Sequence, residues 1–234
     1  MSQARDVALV LMPPFIPDEP HLGLAYLSTY LRHHGFSTAV HDVSIELFNE
    51  TPHDDLKLLW DRSPAVAERW QDRRVIDEFL ERHRPHLEHH IERILARDPR
   101  LIGLSCHMTN SVISMLFARM LRDAAGENVT IVAGGPAFFV VERNGGYRLG
   151  MYGHPTMNRP ELREAQERWM LGLDGIVLDE GELPILELTR RAVEGRDLDG
   201  APNTVRLRDV GDYAPLVREP PIRDINTIPF PTFE

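Results

Sequence analysis

Apolar and polar positions follow two periods along this chain, one short and one helical. Val7 to Met12 (VALVLM) is an almost unbroken apolar run, the pattern of a short strand covered on both faces and so of a parallel sheet. Pro13, Pro14, Pro17 and Pro20 then stop it. From Leu22 onward, Leu22, Ala25, Tyr26, Leu27, Tyr30 and Leu31 recur at helical spacing, and Gly35 predicts the C-cap. A strand that passes through a rigid loop into a helix is where open α/β sheets hold ligands, at the carboxyl ends of their strands. Residues 13–23 are therefore the first place to look for function.

The same alternation repeats downstream. Phe36 to Asp42 (FSTAVHD) predicts a second strand and completes a βαβ unit. Arg100 to Cys106 (RLIGLSC) predicts a third, followed by a helix over Ser111 to Ala125 whose stripe is Val112, Met115, Leu116, Ala118, Met120 and Leu121. Asn128 to Ala133 predicts a fourth, ending in Gly134, Gly135 and Pro136, and Gly175 to Leu178 a fifth. Asp179, Glu180, Gly181 and Glu182 then lead into a helix over Leu183 to Glu194, with Pro184 tolerated in its first turn.

Three stretches depart from this rhythm. Residues 43–99, rich in Arg, Glu, Asp, His and Leu and carrying Trp60 and Trp70, predict two or three helices broken near Pro52, Pro64 and Pro85, an insertion packed on one face or edge of the sheet. Residues 137–159 hold too many glycines and prolines for one helix and predict a loop or small hairpin ahead of a helix at about 160–171. Residues 196–234 predict extended chain, with APNTVRLRD as an edge strand or hairpin, and then a proline-punctuated tail. The tail's Ile222, Ile225, Ile228, Phe230 and Phe233 are too apolar for a disordered terminus. The expected fold is α/β: a Rossmann-like parallel five-stranded sheet flanked by helices, with a helical insertion after the second strand and an extended C-terminal tail. The expected organisation is a domain over residues 1–205 and a linker or docking segment over 206–234.

Composition narrows the function classes. With 234 residues the chain can bury a full core, and its net charge of −10 argues against a nucleic-acid partner, which needs clustered Lys and Arg. Lysine is nearly absent, and Arg interleaved with Asp and Glu reads as a solvated helical surface. No apolar run approaches the roughly 20 residues that span a bilayer, and the N-terminus lacks signal-peptide character, so the expectation is a cytoplasmic protein with no membrane partner. The single Cys106 excludes an internal disulfide, a CxxC metal knuckle and a cysteine-ligated iron–sulfur cluster held by this chain alone.

The strand ends supply the candidate chemistry. Gly134 and Gly135 let a ligand approach the backbone, or make an ordinary tight turn. Ser105 donates to a ligand or satisfies local backbone. Glu180 and Glu182 cap the next helix or receive ligand amides. His21 at a helix start and His107 beyond the third strand are candidate metal ligands, against the blander reading of a capping or surface residue. Cys106 reads as an inert core residue more readily than as a ligand. His83, His86, His89 and His90 put His86 and His90 on one helical face, which reads as solvated rather than metal-binding because Arg82, Arg84, Arg93 and Pro85 crowd it.

Taken in order, PP followed by P-x-LGLAYL-x-x-YLR-x-x-G, a strand ending LIGLS, a strand ending GGP and a nearly complete GEGE before an apolar helix resemble one family. It is the N-terminal cobalamin-binding domain, or separate cobalamin-binding subunit, of cobalamin-dependent radical S-adenosylmethionine enzymes. The closing DINTIPFPTFE is similar to that family's linker. The resemblance covers residues 7–42 and 100–234 well and 43–99 poorly. It implies that Pro13, Pro14, Phe15, Leu22 and Gly23 wall a corrin ring, with His21 beside them. It also implies that Ser105, Cys106 and His107 meet the ring or the top of the nucleotide tail, that Gly134, Gly135 and Pro136 accommodate the nucleotide side, and that Glu180, Gly181 and Glu182 close the pocket. The cofactor implied is cobalamin, presented to a radical S-adenosylmethionine domain or subunit for methyl transfer. S-adenosylmethionine and an iron–sulfur cluster come only through that partner or a further domain, because the family's CxxxCxxC is missing.

Two departures stand out. Asp179 occupies the place of the first glycine of GEGE. Asp18, His21 and Gly23 have the residue types of the cobalt-ligating DxHxxG of methionine-synthase-type corrinoid proteins at the wrong spacing, so the loop is expected to cover the ring by apolar contact rather than bond the metal. The competing class is a non-corrinoid flavodoxin-like or nucleotide-binding module, against which stand the lack of GxGxxG and of a P-loop lysine; a hydrolase would need a nucleophile motif such as GxSxG.

Overall fold

The structure, a computed structural model, describes residues 6–52, 59–61, 63–70, 72–151, 172–206 and 216–232. β1 (Val7–Leu11), α1 (Leu22–His33) and β2 (Thr38–Asp42) form the first βαβ unit. Four helices follow: α2 (Val43–Glu50), α3 (Pro64–Arg69), α4 (Arg73–Arg82) and α5 (Arg84–Leu95). Then come β3 (Leu101–Ser105), α6 (Ser111–Ala125), β4 (Thr130–Gly134), a hairpin of β5 (Phe138–Arg143) and β6 (Gly146–Met151), β7 (Gly175–Val177), α7 (Glu182–Glu194) and β8 (Thr204–Arg206).

The main sheet runs β2-β1-β3-β4-β7-β8. The five expected strands are parallel, and β8 adds an antiparallel edge to β7, which makes Thr204–Arg206 of the APNTVRLRD stretch an edge strand. Residues 137–159 hold the β5–β6 hairpin as far as Met151, and the helix expected at 160–171 lies outside the described residues.

β1 is buried on both faces because its side chains alternate between two cores. Ala8 and Val10 point to the side covered by α2–α6, and Val7, Leu9 and Leu11 to the side covered by α1 and α7. The insertion contains more helix than its prolines announce. Pro64 and Pro85 sit in the first turns of α3 and α5, where a missing N–H costs nothing, so they start helices instead of breaking them. Its core is aromatic: Trp70 meets Phe79 at 5.0 Å between ring centroids and Trp60 at 6.1 Å. The histidine run is solvated only in part, as expected for His86 and His89, which are exposed, but not for His83 and His90, which are buried. His90 Nδ1 lies 3.8 Å from a Glu46 carboxylate oxygen of α2, so α5 turns His90 inward.

The tail packs rather than dangles. Val217 O accepts the Asn203 N–H at 2.7 Å, and the Asn203 carboxamide exchanges two 3.0 Å bonds with the Glu219 backbone, extending the sheet edge by side chain. Ile222 and Ile228 join the core beneath α1 and α7. Thr29 Oγ1 on α1 accepts the Thr232 N–H at 2.9 Å, and Arg32 donates to the Thr232 hydroxyl at 2.7 Å.

Candidate functional site

β1 has β2 on one side and β3 on the other, so the chain leaves these two strands in opposite directions and a crevice opens above their carboxyl ends. Each loop carries a histidine to that crevice: His21 is the N-cap of α1, and His107 lies two residues beyond β3. His21 Nδ1 accepts the Leu24 backbone N–H at 3.0 Å. An amide only donates, so the neutral ring carries its hydrogen on Nε2. That N–H faces His107 Nε2 at 2.8 Å and Ser105 Oγ at 3.2 Å. Burial, and then the facing His107, lowers the His21 pKa to about 4, and burial lowers that of His107 as well. Both rings are neutral at pH 7.

The loop roots are held rigidly. Asn110, fully buried, accepts the His107 N–H through Oδ1 at 2.7 Å and donates through Nδ2 to Met12 O at 3.0 Å and Ser105 O at 3.3 Å. One carboxamide thereby ties the end of β1 to the end of β3. Behind the histidines the Phe15 ring lies 4.6 Å from His21 and 5.4 Å from His107 between centroids.

From the histidines a cavity of about 380 Å³ leads down between the sheet and the helices α1 and α7. Such a volume is in the usual range for small-molecule sites, about 300–1,000 Å³. Leu9, Gly103, Val132 and Gly134 make its floor, Leu24, Leu27, Val177 and Ile185 its sides, and Asp179, Glu180 and Glu182 its acidic mouth. Glycine keeps it open. A Cβ on Gly103 would stand 3.2 Å from Leu9 Cδ2, one on Gly134 3.1 Å from Val177 Cβ, and one on Gly181 3.2 Å from Leu27 Cδ2. Gly135 has a separate reason to be glycine: its φ is +112°, and a Cβ would meet Cys106 O at 2.6 Å. This locks the GGP turn against the β3 loop, where the Cys106 N–H donates to Gly134 O at 2.7 Å.

Of the residues expected at the site, His21, Gly23, Ser105, His107, Gly134, Gly135, Pro136, Glu180, Gly181 and Glu182 line this one cavity. Leu22 does not; it stands at the outer rim, 54% exposed, as does Met108. Pro13 and Pro14 lie outside the lining, and Phe15 supports the histidines from behind. Cys106 is a correction. Its side chain falls on the opposite face from Ser105, in the core with Leu104 and Ile113, where burial pushes the thiol up to about 12. Strand alternation forces this, since neighbours 105 and 106 point to opposite sides.

The pattern of the chain leaves out several residues that shape the site. Gly103 was visible as a glycine inside a strand, a usual mark of close approach. Asn110 has the residue type and position of an N-cap for α6, but its side chain caps no helical amide and binds the β3 loop instead. Asp179 adopts a left-handed φ of +59°, which explains glycine as the alternative there, and its carboxylate pairs with Arg218 of the tail. Arg218 in turn sits 5.3 Å over the Tyr147 ring of the hairpin.

A doubly wound sheet with a glycine-lined slot descending from its switch point has the form of a ligand-binding domain. Residues 10–150 match the B12 binding domain family, and the chain belongs to it. The tryptophan-bound structure of the radical S-adenosylmethionine methyltransferase TsrM from Kitasatospora setae is 20% identical, with a TM-score of 0.50, over 91% of this chain and 30% of that one. The cobalamin-dependent S-adenosylmethionine radical enzyme OxsB with aqua-cobalamin bound is 14% identical, with a TM-score of 0.55, over 97% of this chain and 24% of that one. This chain thus spans about a quarter to a third of the length of those enzymes, whose likeness to it is one of fold. No curated protein matches it by sequence. Family and fold agree with the resemblance read from the ordered motifs.

Proposed function

We propose that this chain binds cobalamin, with the corrin over the carboxyl ends of β1, β3 and β4 and the nucleotide tail in the slot between α1 and α7. The observation that carries this reading is the slot itself. A Cβ at Gly103 or Gly134 would crowd the floor against Leu9 or Val177, and the lining is apolar apart from the histidines, Ser105 and the acidic mouth. The fit is chemical as well as steric. An amide-rimmed ring needs apolar seating and a few acceptors. Leu22, Met108 and Pro136 are exposed around the crevice to seat it, and Glu180 and Glu182 stand at the mouth to accept its amide N–H groups.

Cobalamin, when bound, supplies a cobalt–carbon bond from which a methyl group is transferred. This chain's own residues hold and orient the cofactor: the slot excludes water from the tail, and Asn110 fixes the two loops beneath the ring. A radical S-adenosylmethionine domain, in continuation or on a partner, supplies the cluster and the substrate site, because one cysteine cannot ligate the cluster. The whole operates in the cytoplasm, on methyl transfer. Tail residues Ile225 and Phe230, 69% and 86% exposed, give that domain an apolar surface to cover. Residues 206–234 then act as the link to it.

Titrating hydroxocobalamin with the purified chain, with nucleotides in parallel, tests the proposal. The visible spectrum is expected to shift and saturate at one equivalent. An unchanged cobalamin spectrum with a saturable nucleotide response would instead favour the flavodoxin-like module.

A further inference from the structure

We propose that the helical insertion over residues 43–99 is a working part of the cofactor site, and that Ser44 is the positioning residue through which it acts. The inference rests on cobalamin occupying the crevice, and it gives the insertion a share in holding it. Ser44 is the second residue of α2 and is buried. Its Oγ accepts the Phe15 backbone N–H at 3.0 Å and donates to the Phe15 carbonyl oxygen at 3.4 Å. Its other lone pair accepts the Trp60 indole N–H at 3.0 Å. A hydroxyl has one hydrogen and two lone pairs, so all of its capacity is committed.

Each end of this bridge is anchored in something larger. On the crevice side, Phe15 belongs to the loop between β1 and α1, and its ring backs His21 and His107 at 4.6 Å and 5.4 Å between centroids. One hydroxyl thereby fixes both backbone groups of the residue that stands behind the histidines. On the far side, Trp60 meets Phe48 at 5.5 Å and Phe79 at 5.7 Å between centroids. The Trp70 indole N–H holds the residue before it through Leu59 O at 2.6 Å. The start of α2 is fixed as well. Its N-cap Asp42 accepts the Ile45 N–H at 3.0 Å and lies opposite Leu11 in the register of β2 and β1.

A serine that served only its own helix would bond a carbonyl one turn back. Ser44 instead bonds residues 29 positions before it and 16 after it, and so joins the aromatic core of the insertion to the crevice loop. Without the hydroxyl, the Phe15 and Trp60 N–H groups both lose their acceptor. The loop behind the histidines would then be ordered only when the cofactor arrives, and that ordering is subtracted from the affinity.

The test is titration of the full chain with hydroxocobalamin, with the visible spectrum reading affinity and the indole N–H signals of nitrogen-15 tryptophan reading the bridge. Cobalamin is expected to move the Trp60 signal, which Trp60→Phe identifies, and to move the signal of Trp70, bonded to Leu59 O, less. Ser44→Ala is expected to weaken cobalamin binding about tenfold and to abolish the Trp60 response. Trp60→Phe keeps an aromatic ring and removes the indole donor, and is expected to weaken binding about threefold. Wild-type affinity in a folded Ser44→Ala chain, or a Trp60 signal that saturating cobalamin leaves in place, overturns the role of Ser44 and leaves cobalamin binding intact. Where Ser44→Ala fails to fold, wild-type affinity in Trp60→Phe overturns it in the same way. A wild-type chain that retains no cobalamin overturns both this inference and the function it rests on.

Discussion

At the scale of single residues, the site depends on side chains that hold backbone in place. Asn110 satisfies three polar groups at once, the His107 N–H and the carbonyls of Met12 and Ser105, all at the crevice. Removing its carboxamide leaves them buried without partners, and each costs about 1–3 kcal/mol when stranded. Asn110→Ala is accordingly expected to lower stability by about 2–3 kcal/mol. Urea unfolding reads this directly, and an unchanged midpoint would show that the two loops do not depend on the bridge. Cys106 marks where sequence pattern stops short: a motif such as LIGLSC places a thiol at the strand end but leaves its side to strand parity, which assigns Ser105 to the cavity and Cys106 to the core. The His21 tautomer was equally out of reach, because it follows from an amide three residues away and a ring 86 residues away.

At the scale of elements, strands β1, β3 and β4 and helices α1, α6 and α7 were legible because each carries a clear apolar period with Gly or Pro close to at least one end. The insertion was legible only as helix. Its polar residues are dense enough to read as a surface, which fails for His83 and His90, both buried, whereas Trp60, Trp70 and Phe79 form the packing core that their residue types predict. Its link to the site is Ser44, at the start of α2, whose Oγ accepts the Trp60 indole N–H and the Phe15 backbone N–H, each at 3.0 Å. The insertion thereby props the ring behind the two histidines. The tail is the other element whose role lies in long-range contact. Thr29 is its anchor, accepting the Thr232 N–H. Thr29→Val keeps the shape of the side chain and removes that acceptor. Limited proteolysis is expected to cut the tail several-fold faster in this variant, with global stability changed by less than about 1 kcal/mol. Equal cleavage of the two proteins would mean that Ile222, Ile228 and the Arg32 bond to Thr232 hold the segment without Thr29.

At the scale of the whole molecule, neutral histidines lie on both sides of the sheet: half-buried His21 and His107 at the crevice, buried His41 and His90 between β2, α2 and α5. Burial is the leading cause that lowers all four, to about 4 for His21 and His41. Above about pH 6.5, the ordinary histidine value, the rings are neutral in folded and unfolded chains alike and stability is complete. Below it the unfolded chain takes up protons that the folded chain refuses, so stability falls as the pH drops toward about 4. Asp42, whose carboxyl burial raises, opposes this only near the acid end. Thermal unfolding is expected about 5 °C lower at pH 5 than at pH 7.5, and a flat profile would mean that the rings are hydrated in the folded chain. The central claim is that the slot beneath the histidines receives an arm of cobalamin, and native mass spectrometry of the chain after incubation with hydroxocobalamin and desalting tests it most directly. The account predicts one cobalamin per chain, lost in Gly103→Val, whose side chain fills the floor, while cobinamide, which lacks the nucleotide tail, binds both proteins alike. Equal cobalamin retention by a folded Gly103→Val, or no retention by the wild-type chain, would contradict it.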